Sequence, residues 1–433
     1  MKINWFCPLP PARTSIADDY LVGILPALSK NAELTLWTDQ GNWDRDLESV
    51  ARVRNYDPRR MNWPELHHAD VTFYNIGNNY LFHTSIWQVS QEHPGIVILH
   101  DLRLHNFFES LYRGQWRDTD GYLEQMKRYY GNAGLRAANE FVNGLVSIDY
   151  LTEHYPLTPL ALENCLAVVV HTREALAQVE AMKQWPVALA SLPRTLPLNH
   201  EGDLGALRPA TPPYRLIMFG YMGGNRRLNS VLEALAALPE HESFQLDIFG
   251  EIPDARSLRR RIGKLGLSRL VQLHGYTPES ELNEVLKTSH LAINLRYPTM
   301  GEASGSQLRI WYHALPSLVT DIGWYSGLAR DTVAHVRPEH EVADIQSHLR
   351  AFLQNPQPFA EMGQRGLRTL REQHNPETYV RTIMEMAANV REFRVRKSAY
   401  DLARRAGTIM GSSTNTAEEP IRIATKIHEI YGR

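Results

Sequence analysis

Residues 296 to 324, RYPTMGEASGSQLRIWYHALPSLVTDIGW, decide how the rest of the chain is read. Directly before them stands the apolar run Leu291-Ala292-Ile293-Asn294-Leu295, which reads as a buried parallel strand. The chain then turns through Pro298 and Gly301, presents Glu302, and enters a segment too long for a strand. From about Ser304 to Leu315, the apolar residues Leu308, Trp311, Tyr312 and Leu315 follow a helical spacing. Ser304, Gly305 and Ser306 sit where helix-capping residues belong and leave backbone N–H groups uncovered. A helix start of this kind attracts an anion, and a carboxylate stands just in front of it. The stretch reads as a cradle for a diphosphate, with Glu302 reaching toward a sugar hydroxyl.

Working outward, the same alternation of short apolar strand and amphipathic segment occurs twice. The first half offers strands at Ile3–Cys7, Leu34–Trp37, Val71–Asn75, Gly95–His100 and Ala167–His171, with a helix over Ile16 to Leu28. The second offers Arg215–Gly220, Gln245–Gly250, Val271–His274, Leu291–Leu295, Leu318–Thr320 and Ala334–Val336. A proline-rich stretch without apolar periodicity, Pro193 to Pro213, separates them. Two such arrays predict an α/β protein of two Rossmann-like, doubly wound domains facing a central cleft. The expected bounds are 1–200 for the first domain, 201–213 for the linker and 214–390 for the second. A helical tail is expected over 391–433, with the polar breaker Gly411 to Thr416 before a last helix at Ile421–Tyr431.

Composition narrows the class. The chain has 433 residues, 43% hydrophobic and 22% charged, as in a soluble globular protein. A formal net charge of -2 argues against a general nucleic-acid binder. The two cysteines, Cys7 and Cys165, lie far apart in strand-like runs and imply neither a disulfide framework nor a metal site. There is no signal-peptide pattern and no apolar run of the ~20 residues needed to cross a bilayer. The expectation is a cytoplasmic protein, with peripheral contact to the inner face of the cell membrane as an option. That option rests on Arg391, Arg394, Arg396, Lys397, Arg404 and Arg405, for which a solvated helix face is the plainer reading. The cluster Phe107-Phe108, Tyr112-Arg113 and Trp116-Arg117 could meet a lipid-linked acceptor, although core packing of its rings is the simpler account.

In an open α/β sheet the ligand lies off the carboxyl ends of the strands, so those loops hold the candidates. Gly220 to Arg227, GYMGGNRR, joins flexible glycines to two guanidinium groups whose forks suit phosphate oxygens. By itself it is a solvated helix start; beside the Glu302 cradle it becomes part of a diphosphate site. Glu251 and Gly275-Tyr276 end neighbouring strands, and the Tyr276 ring could cover a nucleobase. The donor-side candidates are thus Gly223, Arg226, Arg227, Glu251, Tyr276, Arg296, Ser304, Gly305 and Ser306. In the first half, His100-Asp101 ends a strand and could orient a hydroxyl or assist proton movement. His171-Thr172 reads as structural, capping the next helix. No H-E-x-x-H, Cys/His pair or G-x-S-x-G is present, and no metal or organic cofactor is expected.

With these residues in place, nearly the whole chain resembles the retaining glycosyltransferases of GT-B fold, family 4. The resemblance is most specific over Asn75–Asp101 and Arg296–Trp324, which look like a bacterial subgroup running G-N…H…P-G-V-V-x-L-H-D and R-x-P-T-x-G-E-x-S-G-S. Asn225-Arg226-Arg227-Leu228 matches an N-K-R-L step, and Ser15-Ile16-Ala17-Asp18 an S-G-I-A-D step. The resemblance implies a nucleotide diphosphate sugar donor (UDP-, GDP- or dTDP-linked) held by the second domain. It also implies a glycan or lipid-linked acceptor against the first, in bacterial polysaccharide synthesis. Arg226 then takes the place of a phosphate-binding lysine, Glu302 matches the first acid of an E-x7-E motif, and His100 and Asp101 lie where donor sugar or acceptor is contacted. The chain departs from the pattern at Ile310, where the family's second acid holds the ribose, at Ala314 for a glycine, and at Gly327 for an acid. The missing second acid keeps in play a non-catalytic nucleotide- or glycan-binding protein, and a GT-B-like sugar-nucleotide epimerase is a further alternative.

Overall fold

The computed structural model describes residues 1–12, 14, 16–197, 200, 208 and 210–409. Among them, thirteen strands form two sheets in which every pairing is parallel. The first contains β1 (Lys2–Phe6), β2 (Glu33–Thr38), β3 (Arg52–Asn55), β4 (Val71–Ile76), β5 (Ile96–Leu99), β6 (Ala167–Val170) and β7 (Val187–Leu189), in the order β3-β2-β1-β4-β5-β6-β7. The second contains β8 (Tyr214–Phe219), β9 (Phe244–Phe249), β10 (Val271–Gly275), β11 (Leu291–Asn294), β12 (Ser317–Thr320) and β13 (Ala334–Val336), in the order β10-β9-β8-β11-β12-β13. The two-array α/β expectation holds.

The central strands are buried along their whole length, because parallel sheets carry helices on both faces. That burial is why they read as continuous apolar runs. The two strands not foreseen, β3 and β7, are both edges of the first sheet. β3 is RVRN with only Val53 buried, and β7 is three half-buried residues directly after Pro186.

The chain folds as two compact units. The second comprises Arg194–Thr299 and Ser304–Asn375; the first comprises Met1–Pro193, Met300–Ala303 and the chain from Pro376 onward. The boundary expected at 390 therefore falls at 375. Helix Pro376–Ala388 buries Tyr379, Val380 and Ile383, and the Tyr379 hydroxyl lies 2.7 Å from that of Tyr20. On the next helix, Val390–Ile409, Arg394 donates to the Asp70 carbonyl at 2.9 Å. Most of the expected 201–213 linker, Ser15 of the S-I-A-D step and the tail from residue 410 lie outside the described residues. The helix expected over Ile16 to Leu28 is instead a π-helical turn, Ile16–Leu21, running into a helix over Val22–Asn31. Among the described residues no helix is long and apolar enough to cross a membrane.

The helix following β11 spans Gly305–Tyr312, shorter than its apolar spacing suggested. It ends because Ala314 adopts φ 46, letting Leu315 N bond Ile310 O at 3.2 Å and Ala314 N bond Trp311 O at 2.9 Å. This is the Schellman arrangement, with alanine in the left-handed position that glycine usually fills.

Backbone meets backbone where β8 and β9 end. Gly220 and Gly250 take φ 105 and 117, and a Cβ on Gly250 would overlap the Gly220 carbonyl oxygen. Gly250→Ala must therefore both strain φ and push that carbonyl away. It is expected to cost about 3 kcal/mol in a denaturant titration of the second unit's transition, and an unchanged midpoint would contradict this packing.

Candidate functional site

In the second sheet the strand order reverses between β8 and β11, and loops at such a switch point diverge to leave a crevice. The loops leaving these two strands are 220–227 and 295–304, which hold most of the donor-side candidates. They are joined directly: Tyr297 N donates to the Asn225 carbonyl at 2.8 Å. The glycine-rich loop is braced on its other side by Met222 N to Glu251 O at 2.9 Å. Within it, Gly223 O accepts from Arg226 N at 3.0 Å, closing a short 3-10 turn.

The two arginines differ in kind. Arg226 is buried, 4% exposed; it donates to Asn294 Oδ1 at 3.0 Å and to the Phe219 carbonyl. Asn294 passes the connection on, Nδ2 donating to Gln307 Oε1 at 3.0 Å, and Gln307 Nε2 donates to Ser317 Oγ at 2.8 Å. Arg227 is half-buried and takes φ 55, a conformation that L residues adopt rarely. Its Nε donates to both oxygens of the buried Glu341 carboxylate, at 2.7 and 2.9 Å, and its guanidinium lies 5.6 Å from the Tyr297 ring centroid. The carboxylate is buried and the fork partly so, which screens this pair less than a surface ion pair.

Ser304 caps the helix Gly305–Tyr312, its hydroxyl accepting from Gln307 N at 3.1 Å. Gly305 and Ser306 remain partly exposed, and their N–H groups make no hydrogen bond among the described residues. Open amides at a helix start are thus linked through Asn294 and Gln307 to a buried guanidinium within one unit, an arrangement whose chemistry suits an anion. Arg296 is half-buried and its N donates to Thr320 Oγ1 at 2.9 Å. Glu251 and Tyr276 are exposed at the ends of β9 and β10, where Gly250 N bonds Gly275 O at 2.6 Å. Ile310 is fully buried in an apolar cluster with Leu286, Ala292 and Leu315, while Arg309 beside it pairs with Glu279 at 2.7 Å.

The remaining candidates belong to the first unit. Glu302 is half-buried and its Oε2 accepts from Met300 N at 2.8 Å; Thr172 Oγ1 donates to Gly301 O at 3.2 Å. Asp101 Oδ2 accepts from Asn78 N at 2.7 Å, and Asn78 Oδ1 accepts from Phe107 N at 3.0 Å. His100 is buried, with Nε2 2.9 Å from Asn75 Oδ1. Asn75 Nδ2 donates to the Phe6 carbonyl, so its oxygen faces His100 and the imidazole donates through Nε2. The opposite nitrogen, Nδ1, is then an acceptor.

Two further histidines surround His100. His83 Nδ1 donates to Asn75 O at 3.0 Å, and His171 Nδ1 to Ala190 O at 2.8 Å. The His171 ring centroid lies 4.9 Å from that of His100, as does the ring of Tyr20. Burial pushes His83 and His171 down to about 4, and drives His100 well below its ordinary value with help from its two neighbours. All three are neutral at physiological pH. The structural reading of His171-Thr172 agrees with the geometry: Thr172 caps the helix Arg173–Ala181, accepting from Ala175 N at 3.1 Å. The aromatic pair Phe107-Phe108 is fully buried core, and Trp116 is 39% exposed.

Sequence reasoning missed Asn294, Gln307 and Glu341. Asn294 did carry a signal, as the lone amide in an apolar strand run. Glu341 carried none, being 114 residues from its partner. Among the described residues no group of three or more His, Cys, Asp or Glu side chains could hold a metal ion.

Residues 205–369 match the family described as Glycosyl transferases group 1, a span that contains the whole switch-point site. No curated protein matches the sequence. Among solved structures, Anabaena HepE in complex with UDP and glucose is similar at TM-score 0.59 and 13% identity, over 90% of this chain and 99% of that one. Sucrose-phosphate synthase from Thermosynechococcus elongatus is similar at TM-score 0.60 and 15% identity, over 90% and 99%. WaaG, a glycosyltransferase involved in lipopolysaccharide biosynthesis, is similar at 0.56 and 14%, over 87% and 98%. At these identities the likeness is one of fold, and the fold is GT-B.

The neutral histidines give stability a definite pH dependence. Their native pKa values lie below the unfolded value of about 6.5, so between pH 6.5 and 4 the unfolded chain takes up protons that the native one refuses. Stability is complete above pH 6.5 and falls on acidification, by about 2 kcal/mol per buried histidine at pH 5. Urea midpoints at pH 7.5 and pH 5 should differ accordingly. His171→Asn, whose amide can replace the Nδ1 donor to Ala190, should shrink the difference; a drop as large as in the wild type would contradict the assignment.

Proposed function

We propose that the chain is a metal-independent retaining glycosyltransferase of family 4 type. It moves a sugar from a nucleotide diphosphate sugar to a glycan or lipid-linked acceptor in bacterial surface-polysaccharide assembly, working in the cytoplasm or at the inner membrane face. The observation that carries this reading is the switch-point site of the second sheet. There a buried Arg226 and the open amides of Gly305 and Ser306 are tied into one unit, a fitting receptor for a diphosphate. The group 1 match over this segment supports it, as do structures of the same fold that hold UDP and UDP-glucose.

In the proposed reaction the bond between anomeric carbon and diphosphate oxygen breaks as the acceptor oxygen bonds that carbon from the same face. The acceptor proton passes to the departing diphosphate. The protein's work is electrostatic: Arg226 and the helix start stabilise the charge that grows on the leaving group. Glu302 serves the sugar ring, its carboxylate set by Met300 N. His100, neutral with an accepting Nδ1, suits a sugar hydroxyl, and Asp101 holds its loop through Asn78. Tyr276 and Glu251 line the nucleoside side; Arg227 and Gly223 shape the loop.

A thermal-shift panel of UDP, GDP, dTDP and their sugars should raise the melting temperature for one base at least. No shift with any of them would defeat the proposal. Glu302→Ala should lower donor turnover about 100-fold with the melting temperature unchanged, and full activity would remove Glu302 from the mechanism.

A further inference from the structure

We infer that Asn294 and Gln307 are positioning residues of the diphosphate cradle, locking Arg226 to the helix start so that the two act as one preformed receptor. The inference rests on the donor-site reading above. Arg226, Asn294, Ser304, Gln307 and Ser317 are all nearly or fully buried, between 0% and 4% exposed. A guanidinium can only donate, so it fixes the Asn294 amide with Oδ1 toward Arg226. Nδ2 must then face Gln307, whose Oε1 accepts it and whose Nε2 is turned to Ser317 Oγ. Nδ2 also lies 3.5 Å from Ser304 Oγ, the group that caps Gln307 N. One donor-only side chain thereby sets the orientation of every amide along the line.

The line has a definite destination. Gln307 is the third residue of the helix, counted from Gly305, and is held at both backbone and side chain. Its placement fixes the direction in which the Gly305 and Ser306 amides point. The link between the cation and the helix start is made by neutral amides, which polarise one another along the line. Gly220 completes the arrangement, since a Cβ there would lie 3.0 Å from the Arg226 fork.

The test compares wild type with Asn294→Ala, Gln307→Met and Ile293→Val by calorimetric titration with UDP and with inorganic pyrophosphate. Ile293 is a buried core residue on the same strand, so its variant loosens β11 without touching the amides. Asn294→Ala and Gln307→Met are expected to weaken UDP and pyrophosphate by roughly tenfold or more, the usual scale for removing a group that orients a ligand contact. Ile293→Val is expected to bind within about twofold of wild type. Two amide variants that are folded and bind UDP as tightly as wild type would overturn the inference. Equal weakening by Ile293→Val would also overturn it, by showing a general loss of strand stability. A wild-type protein that binds none of UDP, GDP or dTDP would instead overturn the donor-site reading itself. Gln307→Met keeps the side chain's length and packing, so a folded variant remains if Asn294→Ala does not accumulate.

Discussion

A guanidinium taken out of water must find acceptors inside the protein, and Arg226 imposes that demand on the carboxyl edge of the second sheet. Much else there follows from meeting it. The Phe219 carbonyl and Asn294 Oδ1 are its acceptors, so β8 and β11 must leave the sheet at a fixed offset. Gly220 must lack a side chain because the fork lies over it. The amide that accepts from Arg226 then needs an acceptor of its own, which commits Gln307 and, through Ser304, the first turn of the following helix. A polar residue in an otherwise apolar strand is thus a consequence of the arginine, not an exception to the core.

The first unit solves a different electrostatic problem with the opposite means. At the ends of β4, β5 and β6 it gathers Asn75, His100 and His171, together with His83, and keeps every ring neutral by burial. Donation to Asn75 O, Asn75 Oδ1 and Ala190 O leaves lone pairs on the far nitrogens. The rings themselves offer acceptors and no charge, with the Asp101 carboxylate close to His83 Nε2. The Arg226 cluster and the neutral histidine cluster therefore lie on different units.

What could be read in the sequence followed physical range. Strands buried on both faces announce themselves as apolar runs, so the order of the two arrays was legible; β3 and β7, polar or very short at an edge, were not. The glycine-rich loop and the Ser304 helix start were legible because capping and turn chemistry are local. Arg226 and Arg227 look alike in sequence, yet one is buried against amides and the other is bound to Glu341. Their difference depends on partners 68 and 114 residues away, beyond the reach of any local pattern. The helices after Pro376 likewise showed their amphipathic character but not the unit they cover, which is decided by Tyr379 meeting Tyr20.

The missing second acid of the E-x7-E pattern has a packing reason. Position 310 lies on the inward side of the helix, fully buried among Leu286, Ala292 and Leu315, where a carboxylate would lose its hydration without gaining a partner. In this chain the polar neighbour is Arg309, paired with Glu279 at the start of the helix that follows β10. That pair joins the last turn of the helix Gly305–Tyr312 to the first turn of the helix Glu279–Thr288, just beyond Tyr276. Its carboxylate is half exposed while the guanidinium is 12% exposed, so the arginine side is the fixed member and Glu279 the adjustable one. The polar contact beside position 310 is thus half in solvent, whereas the network that Arg226 compels is buried.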